Sequence, residues 1–165
     1  MIDDTLLVDD YLTTITDRME IVIQEATGMA AEDVSMGSSD LMNPPMDWKV
    51  NILPMLDGND IVRGSSGTDQ FGDPFKAPDK NTITGGVQID VYRRGEDLKK
   101  AIRIAATIRA SLETDQELAK LVDLIHYAGR IPLSSGGEQK VFVLVALVMQ
   151  FRYSTASGEP WRRIQ

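Results

Sequence analysis

Cysteine is absent from the 165 residues. That excludes disulfides, Cys-ligated zinc and a thiol nucleophile, and it fits a reducing, cytosolic origin. Histidine is nearly absent. His126 stands alone, so a catalytic triad or a multi-histidine zinc site loses most of its support, and His126 reads as a structural or surface residue. Long apolar runs are missing too. The longest, Val141 to Met149, falls far short of the ~20 residues a membrane helix needs. No basic region precedes an apolar stretch near the start, so no signal peptide is expected.

A basic surplus is also lacking. The net charge is −8, and nucleic-acid binding needs a basic surface to displace counterions from phosphates. The acid is concentrated. Residues 1–33 hold Asp3, Asp4, Asp9, Asp10, Asp17, Glu20, Glu25, Glu32 and Asp33 against Arg18 alone, and the rest of the chain balances to zero. Such a segment is either a solvated face or a surface turned to a partner.

Motifs for chemistry are scarce. Asp57-Gly58-Asn59-Asp60 has the oxygen content of a calcium loop but lacks the ligand spacing and closing Glu, and reads as a turn. Gly85-Gly86 and residues 134–137 lack a nucleotide-loop context. Asp9/Asp10 and Glu96/Asp97 sit at helix starts, where capping explains them better than acid–base work. No G-x-S-x-G elbow surrounds a serine. No catalytic, metal-binding or cofactor-binding residue is therefore assigned.

A single domain of this length buries about 70% of its unfolded surface and needs no staple. After a short apolar start at 5–8, Leu12, Ile15, Met19, Val22, Ile23 and Ala26 fall on one helical face. They predict a helix over 10–27, capped by Asp9 or Asp10 and ended by Gly28. Ile21 lies opposite that stripe and is a candidate contact. Residues 35–47 read as loop. Trp48, Val50 and Ile52 alternate with polar residues, and so do Val87, Ile89 and Val91. They predict strands near 48–54 and 84–93. Leu98, Ala101, Ala105, Ile108 and Leu112 predict a helix over 97–112, with Lys99, Lys100 and Arg103 opposite, and 115–120 can add a turn. Strands are expected near 122–128 and 140–154, and the segment 156–161 reads as a turn.

Residues 57–82, rich in Gly, Ser, Asp and Pro, predict a long flexible insertion that extends from the body and orders, if at all, against another chain. Phe71 and Phe75 stand out in it. The expected fold is α+β: a mostly antiparallel four-stranded sheet, with two helices packed on one face. Both faces of the 141–149 strand must leave water. The helices cover one, and either the chain's own loop or a neighbouring subunit covers the other.

The chain resembles the tail terminator (tail completion) proteins of tailed bacteriophages. The resemblance lies in the strand Val87 to Tyr92, the helix from Leu98 to Leu112, and Asp115, Leu118, Leu121 and Val122. It continues in the long strand ending Gln150 to Thr155 and in Gly158-Glu159-Pro160-Trp161. The resemblance implies a virion subunit, made in the bacterial cytoplasm, that does no bond chemistry and needs no cofactor. It implies a homo-oligomeric ring, typically a hexamer, that caps the tail tube, ends its polymerisation and offers a surface for head joining. Its partners would be the tail tube protein and a head–tail connector or neck protein, with no membrane and no sequence-specific nucleic acid. DNA passing through the ring suits an acidic wall. The 57–82 insertion exceeds that of the simplest members, so no role carries over to it. Alternatives are another phage neck or connector subunit, or a small cytosolic enzyme or binding module using the 57–82 loop. The expected contacts between copies set Asp17, Glu20 and Ile21 against Lys99, Lys100 and Arg103, with Phe71, Phe75 and Trp161 as further contacts.

Overall fold

Asp10 opens the first helix. Its carboxylate accepts the Leu12 backbone N–H at 2.7 Å, pairing one of the donors that a helix start leaves free. Helix α1 spans Tyr11–Thr27. Gly28 ends it at φ 70, a left-handed conformation glycine adopts without a Cβ clash, and its N–H returns to the Gln24 carbonyl. Helix α2 spans Leu98–Thr114, capped by Asp97, and helix α3 spans Gln116–Leu121, capped by Asp115. The structure is a computed structural model and describes residues 10–55, 58–64, 66–77, 79–135 and 142–164. The apolar start at 5–8, the acids Asp3, Asp4 and Asp9, Gly136-Gly137 and Val141 lie outside the described residues.

Nine strands are described: β1 (Val34–Met36), β2 (Lys49–Pro54), β3 (Gly58–Val62), β4 (Ser66–Thr68), β5 (Pro74–Lys76), β6 (Lys80–Arg94), β7 (Leu124–Ser135), β8 (Phe142–Ala156) and β9 (Glu159–Arg163). The main sheet runs β1-β2-β6-β8-β7, with β3 beside β6 and β9 beside β8. Strands β2 and β3 share one side of β6, against residues 87–92 and 80–84 respectively.

These elements correct the expectation of a four-stranded sheet with two helices. Among the described residues the sheet has seven strands and is mixed, because β1 runs parallel to β2. A separate two-stranded sheet joins β4 and β5, and the described residues form three α-helices. The 57–82 segment is not a long loop but carries β3, β4, β5 and the start of β6. Asn59 and Asp60, expected in a turn, pair with Ile83 and Thr82. Of the expected turn at 156–161, residues 157 and 158 do turn, and Glu159 onward forms β9. For β3 and β9, cross-strand hydrogen bonds to a long central neighbour, β6 or β8, override weak local preference, while β4 and β5 hold each other.

The sheet has one dry face. Val87, Ile89 and Val91 of β6 lie opposite Met149, Leu147 and Val145 of β8, and all six are buried with Ile15, Met19, Ile108 and Leu112 of the helices. The other face is divided. The 37–47 loop folds over its first half. There Leu41 packs on Tyr92, Leu144 and Ala146, Ser39 donates to Asp90 at 2.8 Å, and the Pro45 carbonyl accepts the Arg94 N–H at 2.7 Å. Around Val148, Gln150 and Arg152 no described residue gives such cover, and Gln150 and Arg152 are exposed. Among the described residues the chain's own loop thus covers one part of the β8 outer face and leaves the stretch from Val148 to Arg152 open, while Ser154 and Ala156 beyond it are buried again.

One ion pair ties the helices together. Arg18 of α1 grips Asp115 with two hydrogen bonds, at 3.0 and 2.6 Å, while the same carboxylate accepts the Leu118 N–H at 2.6 Å. The Arg18 guanidinium, helped by the Leu118 N–H, holds the Asp115 carboxyl below the usual carboxylate range against its partial burial. A lowered pKa stabilises the fold above the unfolded value, about 3.9. That contribution is lost as the pH falls below about 4. Asp115→Ala removes both cap and pair and is expected to cost about 2–3 kcal/mol at neutral pH. Asp115→Asn can keep the cap and is expected to cost less. Urea titrations at pH 7 and near pH 3 check both: the gap between wild type and Asp115→Ala should narrow in acid.

Candidate interaction surfaces

An arm carrying β4 and β5 leaves the sheet where β3 and β6 stop pairing, at Val62 and Lys80. Beyond that point β4 and β5 form their own antiparallel ladder, with Gly67 opposite Phe75. The Phe75 ring covers Gly67 so closely that a Cβ there would stand 3.3 Å from it. The connecting turn is built around Asp69, whose Oδ1 accepts the backbone N–H groups of both Phe71 and Asp73 at 2.9 Å. Gly72 takes φ 85 and donates to the Asp69 carbonyl. Phe71 therefore sits on a hydrogen-bonded turn, yet it is 80% exposed. Phe75 is exposed along the same arm, and Ile61 is exposed on β3 just before it. Phe71 and Phe75 were singled out in the sequence. Asp69, which organises the tip, was not.

The open stretch of the outer sheet face holds a hollow of about 130 Å³, lined by Met55, Thr84, Gly85, Gly86, Val148 and Gln150. Its floor is bare because Gly86 has no side chain. A Cβ there would meet the Met149 carbonyl oxygen at 3.2 Å. Across β8, Arg152 lies opposite Thr84 and is exposed. His126 pairs with Gln150 on the same face and is also exposed. The sequence signal for this hollow was the Gly85-Gly86 pair inside a strand, which marks close approach by another group.

The helical layer carries the charged candidates. Asp17 and Ile21 lie on the exposed side of α1, while Glu20 is half-buried on its flank. Lys99, Lys100 and Arg103 line a groove of about 580 Å³ between the end of α1 and the start of α2, with Met29, Trp48 and Ile104. Arg93 stacks its guanidinium 5.1 Å from the Trp48 ring. The acidic and basic candidates share the outer surface of one helical layer without meeting in the chain. Trp161 is exposed on β9, at the opposite edge of the sheet from β1. Among the described residues no three His, Cys, Asp or Glu side chains gather as a metal site, and no helix is long and apolar enough to cross a membrane. No protein-family model matches the chain, and no curated protein is similar to it.

Proposed function

We infer that the chain is a structural subunit that assembles with copies of itself into a ring, as its resemblance to tail terminator proteins implies. The observation that carries this inference is the arm. A turn locked by Asp69 displays an aromatic ring to solvent. Burying such a ring is worth ~2 kcal/mol or more, and leaving it exposed on an ordered element suits a partner surface. The bare hollow on the outer face is a second, different unpartnered surface. Two unlike surfaces on one chain favour head-to-tail contacts, which close into rings when the rotation permits. The ring would cap a tail tube, stop its growth and join it to the head through a neck protein.

The test is tube assembly in vitro with a tail tube protein from the genome that encodes this chain. Tubes should stop growing, with the chain at their ends. Unchecked elongation in its presence would overturn the capping role.

The charged surfaces of the helical layer supply orientation. Exposed ion pairs contribute only ~0–1 kcal/mol each, so they act on encounter rate and salt dependence. Reversing Lys99, Lys100 and Arg103 to Glu should leave the fold intact, because all three are exposed. Assembly followed by mass should weaken more at low salt than at moderate salt. Equal assembly across that range would remove electrostatics from the contact.

A further inference from the structure

We propose that the arm tip of one copy inserts Phe71 into the Gly86 hollow of the next copy, and that this contact closes the ring. The proposal rests on the ring reading and names the contact within it.

Three observations converge on it. The first is size. An apolar cavity of ~150 Å³ accepts one benzene ring, and the hollow measures about 130 Å³. Met55 and Val148 give it apolar walls, the Gly86 backbone forms its floor, and Thr84 and Gln150 add polar groups to the lining.

The second is availability. Phe71, at 80% exposure, fills no hollow of its own chain. Its turn is already fixed by the two hydrogen bonds to Asp69, so docking it costs little further ordering.

The third is charge. Asp69 and Asp73 flank Phe71 on the tip, and Asp73 is exposed. Arg152 is exposed opposite Thr84, beside the hollow, and has no ion-pair partner among the described residues. An acidic collar around an aromatic knob meets a cation beside the socket. The knob and the socket occupy different places on the chain, so the contact is heterologous. A knob fitting a pocket elsewhere on the same molecule propagates from copy to copy until it closes.

The absence of cysteine makes a clean test possible. Gln70→Cys sits beside the knob, and Gln150→Cys lines the socket. The full chain carrying both changes is treated with a short bis-maleimide and resolved on a denaturing gel. The expected result is a ladder of covalent multimers that ends at the ring number. Each single variant should stop at dimers. Adding Phe71→Ser to the double variant should abolish the ladder, and Arg152→Glu should weaken it several-fold.

The mass of the unlinked wild type is measured alongside. Wild-type rings without a ladder, or a ladder that survives Phe71→Ser, would overturn the Phe71 contact and leave the ring standing. A wild type that stays monomeric, with no ladder, would overturn the ring and the contact together.

Discussion

Replacing residues 63–79 with Asn-Gly should leave a folded chain that no longer assembles. Val62 and Lys80 are already cross-strand partners, so a two-residue turn can join them without moving either strand. The cut removes β4, β5 and the Phe71 turn. It also removes the hydrogen bond from the Ser157 N–H to the Asp79 carbonyl, worth about 1 kcal/mol. Melting should therefore shift by only about 2–4 °C. Assembly should be lost outright, because the knob is gone. A wider cut of 60–80 would take most of β3 and the first residue of β6 out of the main sheet, and it is expected to destabilise the body as well. Thermal melting and solution mass of the two variants separate these outcomes. Unfolding of the shorter deletion would place the arm in the core, and retained assembly would free the ring contact from it.

Phe151→Ala should cost about 3–5 kcal/mol, the loss expected when a large buried aromatic is removed and its site cannot collapse. Phe151 is 1% exposed. It sits in β8 between Gly85 of β6 and Ile125 of β7, and its ring lies 6.0 Å from that of Tyr153. Tyr153 in turn meets Tyr11 of α1 at 5.3 Å. The cavity would therefore open where sheet and first helix join. Single domains are stable by only about 5–15 kcal/mol, so this one change removes a large part of the total. Urea unfolding measures it through the midpoint. A loss under about 1 kcal/mol would show that the region repacks.

The helices were legible because their signals are local. Leu12, Ile15, Met19, Val22 and Ile23 carry the 3.6-residue period, with Asp10 and Gly28 as caps, and no distant residue is needed to recognise them. Strands β2, β6 and β8 were legible through apolar alternation or a long apolar run. The arm was not. Gly58-Asn59-Asp60 and Ser66-Gly67-Thr68 have little intrinsic strand preference. They are extended because Ile83, Thr82 and Phe75 hold them across a ladder, and a partner far along the chain leaves no local trace. Strand β7 was cut short at 128 because Gly129 and Pro132 look like breakers. At a sheet edge they are tolerated: Ala128 is the extra residue of a bulge between Tyr127 and Gly129, and proline is admitted to edge strands. Strand β1 is three residues long, too short for any period.

The interaction surfaces were legible by half. Phe71, Phe75, Ile21 and Trp161 stand out as apolar residues in polar surroundings, and all are exposed. The hollow escaped notice because it is made by what is missing. Gly86 removes a side chain, and Met55 and Val148 reach the same face only through the pairing of β2, β6 and β8.

The most direct measurement is the mass of the purified chain in solution, by light scattering across a concentration series, for the wild type and Phe71→Ser. The wild type should reach one closed mass near six chains and stop there, while Phe71→Ser should remain monomeric with an unchanged melting temperature. A wild type that stays monomeric at every concentration, or grows without limit, would contradict the closed ring.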